Sequence, residues 1–189
     1  SSISFGGQQP DSLVPFAVEA SWRLGRWDIL KGLVGENHSA DKANGLQPHN
    51  VQMEVGQAML AIKENDASSA IIAIDRAREA VMAPLATTAR ESYSRAYSHI
   101  VKLHSLREIE EAVPIICNAA AENDLATFVG DCGGWKRRLD VAEPSYTMDL
   151  AQSRLALARI VGNHGLEAEL FLSIGRRARK DQQYSIAAS

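Results

Sequence analysis

Apolar residues recur along this chain at three- and four-residue intervals, and no window alternates with the period of two that a half-buried strand requires. Phe16, Ala20 and Leu24 form one stripe, which predicts an amphipathic helix that begins after Pro15 and is stopped by Gly25. Trp27, Leu30 and Val34 predict a short second helix, so Trp22 and Trp27 flank a helix-to-helix turn. The polar, turn-rich stretch 35–50 predicts a flexible loop. Val51, Val55, Ala58, Met59 and Ile62 follow a helical period. Asp66 then offers an N-cap to a helix carrying Ala67, Ala70, Ile71, Ile74 and Val81. Pro84 should kink or end that helix, because proline lacks a donor and clashes with the preceding turn.

From Ala86 to Val113 a long segment carries Tyr93, Ala96, Ile100 and Leu103 as its expected buried stripe, with Arg90, Glu91, Arg95, Lys102 and Glu108 off it. The sequence around Asp124 nearly repeats the turn around Asp66, and Asp131 to Tyr146 reads as a broken connector. Ala151, Leu155, Ala158 and Val161 predict another helix, and a last one runs from about Leu166 to Lys180. Turns at Gly25, Asp66, Asp124 and Gly165 recur irregularly, as between stacked helical hairpins. The fold class is therefore all-α, an α-solenoid of stacked antiparallel hairpins of tetratricopeptide-like or HEAT-like type. In that frame "LGRW" echoes a tetratricopeptide helix, with Gly25 letting its hairpin partner approach closely. Trp22 and Trp27 then pack in a hairpin seam. The alternative is a pair that stacks a ligand.

Composition supports the helical class: 46% of residues are hydrophobic and only 6% aromatic. A net charge of −3 supplies no global attraction to nucleic acid or acidic membranes. Cys117 and Cys132 are too few for a disulfide framework, which favours a reducing, intracellular setting. The opening residues carry no secretory signal, and residues 1–14 read as a flexible stretch ahead of a helical segment over 15–189. Without an initiator Met, and with "QQYSIAAS" reading as a helix cut short, the chain is expected to be a piece of a larger protein.

The sequence carries no recognisable catalytic constellation. Phosphate-loop, protein-kinase, HExxH and Gly-x-Ser-x-Gly signatures are all missing from the sequence. His99 and His104 fall on different sides of a helix, and Cys132 beside Gly133 and Gly134 has no local activating group. Glu108, Glu110 and Glu111 read as a solvated face opposite Arg107. Two basic clusters remain, Lys136 to Arg138 and Arg176 to Lys180. They are expected to be solvated or to pair with acidic faces of neighbouring helices; phosphate binding or nuclear import is the alternative. The expectation is no catalytic, cofactor-binding or metal-binding residue in this segment.

Four stretches, "AVEASWRLGRWDIL", "AREAVMAPLATTARESYSRAYSHIVKLHSLREIEEA", "WKRRLDVAEPSYTMDLAQSRLALARIV" and "GRRARKDQQYSIAAS", resemble in this order the FAT domain of the phosphatidylinositol-3-kinase-related protein kinases. "ESYSRAY" recurs across several branches, the TOR kinases among them, whereas "WKRRL…PSY" with "RRARK" resembles the ATR checkpoint branch. The resemblance implies a scaffold segment of a nuclear serine/threonine kinase of the DNA-damage and replication-stress checkpoint. It further implies that the segment supports and regulates a kinase domain of the same chain. ATP and magnesium would belong to that kinase domain, and the parent would be a homodimer with an ATR-interacting protein as regulatory subunit. A TOR-like segment, or a free-standing helical-repeat adaptor, is the competing reading, and no membrane or direct nucleic-acid partner is implied.

Overall fold

The computed structural model describes residues 13–44, 50–118, 135, 137, 138, 142 and 144–180. Among them seven helices carry the fold: α1 (Val14–Arg23), α2 (Trp27–Asn44), α3 (Val51–Lys63), α4 (Ala67–Glu91), α5 (Tyr93–Asn118), α6 (Pro144–Val161) and α7 (His164–Lys180). Each packs on its chain neighbours, the order expected of stacked hairpins, and α1 also lies against α3 and α6. The expectations for residues 1–12, for the turn near Asp124 and for the C-terminal "QQYSIAAS" lie outside the described residues.

Three corners are built alike. At the end of α1, Gly25 takes φ +70° while its N–H meets the Trp22 carbonyl at 3.2 Å and the Arg26 N–H meets the Ser21 carbonyl at 2.8 Å. This is a Schellman turn, whose left-handed residue is normally glycine because a Cβ is crowded there. Asn65 (φ 63°) closes α3 in the same way, and the Asp66 carboxylate then accepts the Ser69 N–H at 3.0 Å, capping α4 as expected. Gly162 (φ 78°) closes α6, and the Asn163 side chain caps α7 through the Leu166 N–H at 2.9 Å. The last corner is thus set by Gly162; Gly165, expected to make it, is already inside α7.

Several expectations are corrected. Helix α2 runs on to Asn44, through most of the stretch expected as a loop. Pro84 does not end α4, which continues to Glu91. The proline removes one ladder donor, and the hydrogen bonds on either side are enough to carry the helix past it. The long segment divides at Ser92 instead, whose extended backbone (φ −161°, ψ 128°) turns α5 back so that Ala77 and Val81 meet Leu103 and Leu106. Of the four residues expected to line α5, only Ala96 is buried; Tyr93 stands exposed, and the core side is Val101, Leu106, Ile109, Ala112 and Val113. Pro144 and Tyr146, placed in a connector by the sequence, belong to α6.

The α1 stripe is inverted. Val18, Ser21 and Trp22 are buried, while Phe16 and Leu24 are 63% and 71% exposed. Trp22 sits in the main core with Leu30, Met59 and Ile62, and Trp27 packs half-buried at its edge, which supports the seam explanation for both rings. The close approach expected at Gly25 occurs at Gly56. A Cβ there would lie 2.3 Å from Val18 Cγ1, whereas one at Gly25 would meet only ordinary contacts at 3.7 Å and beyond. Helix α1 therefore approaches α3 as closely as it does because residue 56 has no side chain, and a Cβ there would also press on Leu30 of α2 at 3.3 Å.

A buried charge lattice as candidate functional site

Helix α5 carries its acidic residues on two sides. Glu108 falls seven residues after Val101 and four before Ala112, so it occupies a position on the core stripe, and it is fully buried. On α6, Arg154 takes the equivalent place between Leu150 and Ala158 and is also buried. Two buried opposite charges on facing helices meet as a fork. Arg154 Nε donates to Glu108 Oε2 and Nη2 to Oε1, both at 2.7 Å. Arg154 Nη2 also donates to the Trp135 carbonyl at 2.6 Å, and its guanidinium lies 5.2 Å from the centre of the Trp135 ring.

A second fork lies beside it. Arg138 donates through Nη1 and Nη2 to the two oxygens of Glu111, each at 2.9 Å, and Trp135 Nε1 donates to Glu111 Oε2 at 2.9 Å. Arg107 reaches Glu111 at 2.8 Å and Glu110 at 2.9 Å, and Arg78 of α4 reaches Glu110 at 3.1 Å. Hydrogen bonds from Arg138, helped by those from Trp135 and Arg107, outweigh burial and hold the Glu111 carboxyl at about 2. The network joins α4, α5 and α6 to Trp135 and Arg138, and Trp135 is itself almost wholly buried.

Glu108 and Glu111 are therefore not a solvated face. The expectation that basic residues pair with acidic faces of neighbouring helices holds for Arg138; Arg137 is exposed, and Lys136 lies outside the described residues. In the second cluster Arg177 donates to the Ala142 carbonyl at 3.3 Å, which ties the end of α7 to that residue, while Arg176 and Arg179 stay exposed. Neither the pattern of like charges nor the basic clusters revealed Glu108 and Arg154. Their place on two apolar stripes, with opposite sign, was the available signal.

Chemically the lattice is suited to holding helices in register. A carboxylate kept ionised by two arginines and an indole is a weak proton acceptor at neutral pH. His99 is half-buried and His104 exposed, and the two form no site together. Burial pushes the Cys117 thiol up, away from the reactive thiolate; Cys132 lies outside the described residues. Among the described residues no cluster of His, Cys, Asp and Glu could hold a metal ion, and no helix is long and apolar enough to cross a membrane.

Comparison with known proteins bears on the whole segment. The serine/threonine-protein kinase ATR of Oryza sativa subsp. indica is 33% identical over 162 residues, covering 77% of this chain and 6% of that protein. The ATR kinase of Arabidopsis thaliana is 31% identical over 165 residues, 81% of this chain and 6% of its own length. The serine/threonine-protein kinase TOR of Arabidopsis thaliana is 26% identical over 189 residues, 94% of this chain and 7% of that kinase. The chain thus spans well under a tenth of the length of these relatives. No solved structure matches it. The FAT domain model matches residues 14–189, from the start of α1 past the end of α7, and the chain belongs to the FAT domain family.

Proposed function

We propose that this chain is a structural and regulatory scaffold segment of an ATR-like serine/threonine kinase that acts in the nucleus, in the checkpoint for DNA damage and replication stress. The observation that carries the reading is the FAT match over 14–189 together with higher identity to the ATR kinases, 31–33%, than to the TOR kinase of Arabidopsis thaliana, 26%. The segment's part in it is mechanical. Stacked hairpins braced by Glu108–Arg154 and Glu111–Arg138 form a stiff support, and its curvature biases a kinase domain of the same polypeptide between less and more active arrangements. In this reading the segment performs no catalysis, ATP and magnesium are bound by the kinase domain, and the parent works as a homodimer with an ATR-interacting regulatory subunit.

Two experiments test this. Sequencing the parent gene should reveal kinase signatures downstream of Ser189; a stop codon soon after it would favour a free-standing adaptor. In the parent protein, Glu108→Gln should lower kinase activation by replication stress while leaving the kinase domain intact. Loss of nutrient-dependent growth signalling with a normal checkpoint would point to a TOR-like parent instead.

A further inference from the structure

Trp135, Arg137 and Arg138 are helical, and the Ala142 N–H meets the Arg138 carbonyl at 3.1 Å. Residues three apart on a helical turn share a side. Trp135 and Arg138 accordingly lie together on the inner side, Trp135 1% exposed and the Arg138 side chain 17%, while Arg137 stays exposed. The face made by α5 and α6 meets each of their polar groups with a partner of the right kind. Glu111 accepts the Trp135 indole N–H and both terminal nitrogens of Arg138, each at 2.9 Å. Arg154 donates to the Trp135 carbonyl at 2.6 Å, with its guanidinium over the ring.

The charges of that face do not depend on the turn seated on it. Without the turn, Glu108 would keep the fork from Arg154, Glu111 would keep Arg107 at 2.8 Å, and Glu110 would keep Arg107 and Arg78. No carboxylate is stranded, so emptying the face avoids the cost of leaving half of a buried pair behind. We propose that the α5–α6 face is a docking site for a helical Trp-x-x-Arg turn, filled in cis by Trp135 and Arg138, and that a partner protein presenting the same turn takes their place. The occupant is another protein rather than a second copy. In a second copy the turn is already engaged within its own chain, and exchanging two equal turns gains no contact. A partner wins by adding contacts beyond the turn, because the cis turn has the advantage of its tether. Its docking also loosens the end of α7, which Arg177 ties to Ala142. The proposal stands independently of the kinase reading.

The test uses the 189-residue chain, its site emptied by Trp135→Ala with Arg138→Ala, and a labelled peptide, GGWKRRLDVAEP, copied from residues 133–144. Fluorescence anisotropy should show saturable binding to the emptied chain, about tenfold tighter than to the unaltered chain, whose site is filled. Glu111→Gln in the emptied chain, or Arg138→Gln in the peptide, should weaken binding about tenfold by removing a charge-assisted fork. A scrambled peptide of the same composition should not bind. Equal binding of the scrambled peptide would reduce the effect to charge attraction and overturn the proposal, as would no saturable binding of the native one. Loss of the helical circular-dichroism signal in the emptied chain would overturn it too, because the face would then not exist without its turn. In the unaltered chain, hydrogen exchange should protect the Trp135 indole N–H about a hundredfold less than the amides of Ile109 and Ala112 on α5. Equal protection would make the turn an inseparable part of the core and sink the idea of displacement. Mixing emptied and unaltered chains should give no new complex in sedimentation velocity; a complex would make a second copy the occupant and overturn the partner assignment.

Discussion

Replacing Glu108 by Leu removes one side of an ion pair whose side chains are 0% and 4% exposed. Arg154 is then left charged in the core with one good acceptor, the Trp135 carbonyl. Removing one partner of a buried pair usually costs ~3–5 kcal/mol, because the other charge stays desolvated. A domain's whole stability is roughly 5–15 kcal/mol, so Glu108→Leu should bring this chain close to unfolding. Arg154→Leu should cost somewhat less. Glu108 retains Arg138 at 3.8 Å, and that guanidinium can move closer. The double variant, with two apolar side chains in the space, should recover much of the loss, giving a coupling on the order of 1–3 kcal/mol. Urea unfolding followed by far-ultraviolet circular dichroism measures all four chains, with the denaturant slope checked for constancy. A Glu108→Leu midpoint within about 0.5 kcal/mol of the parent chain, the range of surface substitutions, would refute the buried-pair argument. Strict additivity of the two single changes would refute it equally.

Trp22→Ala should cost ~3–5 kcal/mol and the half-buried Trp27→Ala clearly less, so equal urea midpoints for the two would contradict their placement. Gly56→Ala forces a methyl into Val18 and should cost ~1–3 kcal/mol, part of it regained when Val18→Ala is added; additive losses would count against the contact. The Glu111 pKa is lowered from 4.5 to about 2 in the folded chain, so its stabilisation is complete above the unfolded value and is lost as pH falls from there towards 2. The gap between the parent chain and Glu111→Gln should therefore narrow over that window, and a gap that stays constant in acid would deny the carboxylate this role. The exposed Phe16 and Leu24 should make the chain self-associate with rising concentration, and Phe16→Glu should reduce this in sedimentation velocity. A monodisperse parent chain would argue that the stripe is inert.

The hairpin corners were legible because their chemistry is local. Gly25 and Asp66 are the residues a left-handed turn and an N-cap require, and no distant contact alters that need. The third corner was misplaced by three residues, since Gly162 and Gly165 are equally plausible glycines and only the capping bond of Asn163 distinguishes them. Pro84 shows the limit from the other side. A local penalty of one missing donor is real, yet packing of α4 against α3 and α5 outweighs it. The buried lattice is hidden in the sequence because acidic residues close together have the composition of a solvated face. Glu108 differs from Glu110 only in its phase relative to Val101 and Ala112, so composition alone cannot separate them.

The α1 helix shows what a hydrophobic period does and does not report. Its residues are apolar on two faces: Val18 and Trp22 fill the core, and Phe16, Ala20 and Leu24 lie outward. Periodicity establishes that a face is suited to burial, but it cannot say which of two suitable faces this chain covers. The choice is made at Gly56, where the missing side chain lets Val18 within contact distance of α3 and so turns the Val18 side inward. A helix with one apolar face can end a stack, whereas a helix with two is built to be packed on both sides. Helix α1 is of the second kind. Its outward stripe of Phe16, Ala20 and Leu24 stays exposed while Val18 and Trp22 fix α1 in the core.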